Sequence, residues 1–246
     1  MSVSLGWLGN DMCEGCDAKP GGLTRRQVLA TGLGATFAAA MPFEAFAEND
    51  NGISPADAWQ RLVEGNERYI NGAPLPADYA AGRVDRALTQ RPFAAILSCA
   101  DSRVAPELTF DQGPGDLFVV RVAGNFVETD GLASLEYAIN FLGTRLIVVL
   151  GHSNCGAVDA AIKVVRDKIE LPGHLPGMLA PILPAAEDAL AAPGDDLLRT
   201  AIAGNVRRGV GALNLAGPII GPAVASGQVL VVGAVYDIAT GRISEV

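Results

Sequence analysis

Phe93-Ala94-Ala95-Ile96-Leu97-Ser98-Cys99-Ala100-Asp101-Ser102-Arg103 runs from six residues with almost no polar group into a cluster of ionisable ones. A short apolar run bounded by polar residues reads as a strand buried on both faces. Leu146-Ile147-Val148-Val149-Leu150 repeats the pattern and runs into Gly151-His152-Ser153-Asn154-Cys155-Gly156. Two further runs, Leu117 to Val122 and Val229 to Tyr236, have the same character. Helical spacing of apolar residues fills the gaps. Gly131 to Leu142 places Leu132, Leu135, Ala138, Ile139 and Leu142 on one face, Ala157 to Asp167 is a second helix, and Asp195 to Leu215, interrupted by glycines, is a third. Upstream, Ser54-Pro55 opens a helix over Ala56 to Asn71, with Ser54 as N-cap and Asn71-Gly72 as its stop. The segment from there to Gln90, punctuated by Pro and Gly, is expected to wrap the surface. Strands alternating with helices predict an α/β fold, a mainly parallel β-sheet flanked by helices.

In such sheets ligands bind beyond the carboxyl ends of the strands. Cys99, Asp101 and Arg103 follow one strand; His152 and Cys155 follow another. If the two strands are neighbours, the loops open on one edge and Cys99 faces His152 and Cys155. Two thiolates and an imidazole suit zinc, which takes sulfur and nitrogen ligands tetrahedrally. Another thiophilic metal would meet the same donors. Asp101 either fills the fourth position or leaves it to water. Arg103, two residues on, favours the ionised carboxylate and can hold it off the metal. Cys155 opens the helix that starts near Ala157, where the helix N-terminus favours a thiolate. A disulfide or two buried thiols would account for the cysteines, but not for His152, Asp101 and Arg103 beside them.

The chain has 246 residues, enough for one sizeable core, and a formal charge of −9. No basic stripe is present, so nucleic acid is not an expected partner. Thr24-Arg25-Arg26-Gln27-Val28-Leu29 precedes a short, weakly apolar run to Met41, and small residues stand at Ala45 and Ala47. Residues 1–47 are therefore expected to be a twin-arginine-type export signal, leaving a catalytic domain over 48–246 that is periplasmic or secreted. The apolar run is too short and broken for a stable membrane span. Cys13 and Cys16 form a lone CxxC inside this leader, a weak signal with no second half.

Cys99-Ala100-Asp101-Ser102-Arg103-Val104, with Gly151-His152 through Cys155-Gly156, resembles the β-class carbonic anhydrases. Phe110-Asp111-Gln112-Gly113, Gly115 to Arg121, Ala123-Gly124-Asn125 and Ser134 to Ala138 agree, and the resemblance covers about residues 54 to 246. It implies a zinc enzyme interconverting carbon dioxide and bicarbonate, with one Zn2+ per subunit held by Cys99, His152 and Cys155. Asp101 and Arg103 match the family's dyad, in which the carboxylate either serves the nucleophile or binds zinc in a resting form. The resemblance assigns Gln112 to hydrogen bonding with substrate and Tyr137 to the pocket lining, and Val104 and Phe126 are further apolar wall candidates. It also implies assembly, as a homodimer or homotetramer with the site near a subunit interface. Of the two histidines only His174 is free to relay protons, and its Pro/Gly setting reads as an exposed loop. Hydrolysis of carbonyl sulfide or carbon disulfide on the same metal site, and a non-catalytic zinc-binding protein, are the competing readings.

Overall fold

The apolar runs pair as one sheet in a computed structural model that describes residues 52–192 and 194–246. In chain order the elements are α1 (Pro55–Ile70), α2 (Arg83–Arg86), β1 (Ala94–Ser98), α3 (Pro106–Thr109), β2 (Leu117–Arg121), α4 (Thr129–Leu142) and β3 (Leu146–His152). They continue with α5 (Gly156–Asp167), α6 (Leu175–Leu179), α7 (Leu183–Ala191), α8 (Leu197–Asn214), α9 (Ile220–Ala225), β4 (Leu230–Tyr236) and β5 (Ile243–Glu245). The strand order is β2-β1-β3-β4-β5, parallel except for the antiparallel β5. The expected leader over 1–47, with Cys13 and Cys16, lies outside the described residues. Among the described residues no helix is long and apolar enough to cross a membrane.

Side chains alternate across a strand, so each buried strand feeds two cores. Ile96, Leu146, Val148 and Leu150 face α1, where Ala58 and Leu62 pack with Phe110. Ala95, Leu97, Ile147 and Val149 face α4, α8 and α9 through Leu135, Ile139, Val206, Leu213 and Ile220. Both faces are covered, which explains why the strands read as continuous apolar runs. The Ser54 hydroxyl caps α1 by accepting from the Asp57 N–H at 3.1 Å. Asn66, buried in α1, donates to the Thr109 and Gly241 carbonyls at 3.0 and 2.8 Å and accepts from the Ile243 N–H. It thereby ties α1 to α3 and to the β4–β5 hairpin.

Two expectations are adjusted. The glycines in the stretch before Leu215 do not interrupt it; α8 is one helix. Gly209 lets it lie close to the sheet, since a Cβ there would stand 3.0 Å from Val149 Cγ1. β3 runs two residues further than its apolar run, through Gly151 to His152, because those residues still pair with Val235 and Tyr236 of β4. His152 is thus the last residue of a strand, not part of a loop. Residues 72–90 are exposed almost throughout, as expected, and contain only the short α2.

Candidate metal centre

β1 is followed by β2 on one side of it, whereas β3 lies on its other side and leads on to β4. The chain changes direction between β1 and β3, and crevices in α/β sheets open at such points. Ser98 pairs with Leu150, so Cys99 leaves β1 beside the end of β3. Cys155 then caps α5 at its N-terminus. The ligand atoms of Cys99, His152 and Cys155 all lie within 4.8 Å of one another, and all three residues are buried.

The two sulfur atoms are 4.0 Å apart. Tetrahedral zinc with Zn–S bonds near 2.3 Å would hold them about 3.8 Å apart. His152 Nδ1 lies 2.9 Å from the Ser153 carbonyl. A carbonyl only accepts, so Nδ1 carries the proton and Nε2 presents its lone pair. That Nε2 atom is fully buried and has no hydrogen-bond partner. Such an orphan is costly unless something electrophilic meets it. The donor set and the aimed, unpartnered nitrogen fit a zinc ion.

The thiols titrate as one unit. Cys99 is pushed down, first by the hydrogen bond from Cys155, with further help from the backbone N–H groups of Gly124 and Asp101. Cys155 is pushed up, first by holding the shared proton towards Cys99 and then by burial. Both shifts describe one shared proton, which the pair gives up last; metal binding displaces it. The Ala157 and Val158 N–H groups at the start of α5 favour the Cys155 thiolate.

Asp101 stands at the mouth of the cluster, its Oδ2 3.9 Å from His152 Nε2. Arg103 grips it. The backbone N–H and Nε of Arg103 donate to Oδ1 at 2.9 and 3.0 Å, and Nη2 donates to Oδ2 at 2.7 Å. This pairing, with Arg103 as the largest cause, holds the Asp101 carboxyl far below the usual carboxylate range. Arg121, which in the sequence only ends one of the matching segments and has no site role there, donates from Nε to the Cys99 carbonyl at 3.0 Å and from Nη2 to the Asp101 carbonyl at 2.7 Å. It sits at the end of β2, and only the sheet order shows that it reaches the β1 loop.

Val104 is 1% and Phe126 8% exposed; Phe126 packs in the same cluster as Cys99 and Cys155, whereas Val104 packs with Leu62 and Phe110 in the core under α1. Gln112 is not brought to the centre. It is buried against α1, where its Oε1 accepts from Arg61 Nε at 3.1 Å and its Nε2 donates to the Phe110 carbonyl at 2.7 Å. These bonds close the α3 turn against α1 with the amide oxygen and one of the two amide hydrogens. Tyr137 lies on α4 with its ring 6.3 Å from Phe118 and 5.3 Å from Phe141, and it is 44% exposed. Phe118 pairs with Ala95, three residues before Ser98. Tyr137 therefore flanks the outer edge of the sheet, about 10 Å back from the strand ends at roughly 3.3 Å per residue. His174 is exposed at the start of α6.

The family model for carbonic anhydrase matches residues 94–243. The chain is 39% identical over 194 residues to carbonic anhydrase 2 of Mycobacterium tuberculosis, an alignment covering 77% of this chain and 91% of that protein. It is 38% identical over 192 residues to a carbonic anhydrase of Mycolicibacterium smegmatis, covering 77% and 92% respectively. A tetrameric β-carbonic anhydrase from Sordaria macrospora superposes with a TM-score of 0.59 at 28% identity, covering 78% of this chain and 94% of that one.

Proposed function

The chain belongs to the β-carbonic anhydrase family of zinc enzymes, whose activity is the hydration of carbon dioxide, and from that premise we propose that Cys99, His152 and Cys155 hold the zinc while Asp101 and Arg103 control access to it. The observation that carries this reading is the buried, unpartnered Nε2 of His152 aimed between two thiols, with a paired carboxylate at its edge. Zinc in that position supplies a Lewis acid that brings the pKa of water down to about 7.

The protein's own groups supply the rest. Asp101 stays ionised, so at neutral pH it accepts a hydrogen bond and does not carry a proton. Arg103 occupies both its oxygens from the outer side, which leaves the lone pair of Oδ2 that faces the cluster to orient an O–H group. The same grip keeps the carboxylate from closing onto the ligands. Phe126, packed with Cys99 and Cys155, gives the site an apolar wall that suits a small, neutral, linear substrate. The product proton passes to solvent buffer, because the chain's second histidine, His174, is exposed on α6.

Assembly is part of the proposal. Among the described residues β2 is an edge strand, and beside it Tyr137 and Phe141 expose 44% and 58% of their surface. An unpaired edge flanked by exposed aromatics is suited to burial against another copy. In such a homodimer or homotetramer, Tyr137 would line a pocket only across the interface. Export through the twin-arginine route rests on Arg25-Arg26, the short apolar run and the small residues at Ala45 and Ala47.

The test joins metal analysis to stopped-flow hydration of carbon dioxide, with carbonyl sulfide and carbon disulfide run alongside. One zinc per chain and turnover of carbon dioxide are expected. Zinc-loaded protein that turns over only the sulfur compounds, or nothing, overturns the assignment.

A further inference from the structure

The two thiolates receive their backbone hydrogen bonds from different kinds of donor. Those on Cys155 come from the first turn of α5, which its own helix holds in place. Cys99 accepts at 3.2 Å from the N–H of Gly124, which sits in the connection between β2 and α4. That connection is a turn closed by the Asn125 N–H on the Val122 carbonyl at 3.0 Å, with Val122 tied to β1 through the Ser98 carbonyl and the Ala100 N–H; these bonds place the turn and leave the Gly124 carbonyl to a partner elsewhere.

That partner is on α8. Asn205 is 3% exposed and stands among the apolar residues Ala201, Ile202 and Val206. A buried amide there is a liability unless its hydrogen bonds are made. Its Nδ2 donates to the Gly124 carbonyl at 2.7 Å, across 81 residues of sequence. Gly124 has φ +89°, and a Cβ on it would stand 2.4 Å from Ile182 Cδ1 and 3.2 Å from Ala157 Cβ. The residue is therefore clamped between α5, α7 and Asn205, with its N–H aimed at Cys99. A hydrogen bond to a thiolate withdraws charge from the sulfur, and so changes how strongly it donates to a metal.

We propose that Asn205 is a positioning residue for the metal centre: by holding the Gly124 carbonyl it delivers the Gly124 N–H to the Cys99 sulfur and sets the charge that this thiolate offers the metal. The inference rests on Cys99 being a metal ligand.

The test uses the full chain loaded with Co2+, whose thiolate-to-metal charge-transfer band reports directly on the sulfur. Asn205→Leu should remain folded by circular dichroism, shift that band, and bind cobalt about 10- to 100-fold more weakly. Leu213→Ala serves as the control. It destabilises α8 about 12 Å further along the helix, at roughly 1.5 Å per residue, and should leave band and affinity unchanged. A folded Asn205→Leu protein with the wild-type band and affinity overturns the role of Asn205 and leaves the metal site standing. Wild-type protein that binds no cobalt overturns both. If Asn205→Leu does not fold, nitrogen-15-labelled wild-type protein loaded with cadmium-113 decides. The Gly124 amide proton should then show a scalar coupling to cadmium through the Cys99 sulfur, and its absence overturns the proposal.

Discussion

Replacing Asp101 by Asn keeps the shape of the side chain and removes its charge. In the native site Oδ1 accepts two hydrogen bonds from Arg103 and Oδ2 accepts one, while Oδ2 also faces the ligand cluster. An amide has a single oxygen. The better placement puts that oxygen at the Oδ1 position, where it keeps two donors. The amide nitrogen then replaces Oδ2, points its hydrogens at Arg103 Nη2, and offers a donor to the site where an acceptor is needed. Losing one preorganised hydrogen-bonding group at a reacting centre costs about 10²–10³ in kcat, or about 2.7–4 kcal/mol. Asp101→Asn should fall in that range in stopped-flow hydration and keep one zinc per chain, because Cys99, His152 and Cys155 are untouched. Its stability should also report the lost pair. The Asp101 pKa is lowered in the fold, so its contribution is fully present above the unfolded carboxylate value of about 4 and fades as pH falls through the lower folded value. Denaturant unfolding should show Asp101→Asn weaker than wild type at pH 7, with the gap narrowing below about pH 4. Wild-type turnover in this variant, or loss of its zinc, would refute the reasoning; the latter would make Asp101 a permanent ligand.

Gly124→Ala forces a side chain into a left-handed conformation and onto Ile182. It should cost about 2–5 kcal/mol by denaturant midpoint, from the strain and overpacking together. Phe141→Glu places a charge on the exposed aromatic face of α4. Sedimentation should then show a smaller species than wild type, and an unchanged species would move the interface elsewhere. Arg25→Lys with Arg26→Lys should retain the precursor in the cytoplasm; normal recovery outside it would refute the twin-arginine route. Arg103→Ala should lower turnover and increase closed, carboxylate-ligated metal, visible in the spectrum of the cobalt-loaded protein. Unchanged activity would remove Arg103 from the control of Asp101.

The sequence alone determined the four parallel strands, because β1 and β3 are buried on both faces and β2 and β4 are apolar over most of their length. It also brought out Cys99, Asp101, Arg103, His152 and Cys155, since ionisable residues directly after apolar strands have few structural reasons to be there. Spacing within each loop was enough to pair Asp101 with Arg103 and His152 with Cys155. That the two loops meet depended on β1 and β3 being neighbours, which hydrogen bonding between distant segments decides. The short elements α2, α3, α6, α9 and β5 went unread, for they hold too few residues to show a period. Gln112 shows the limit of a local motif. Its neighbours in sequence place it in a turn, but α1 and Arg61, some fifty residues upstream, decide which of its amide atoms are engaged inside the fold. Asn205 and Arg121 show the converse. Neither stands near a metal ligand in the sequence, and only the packing of α8 and the order of the sheet bring them to the backbone around Cys99.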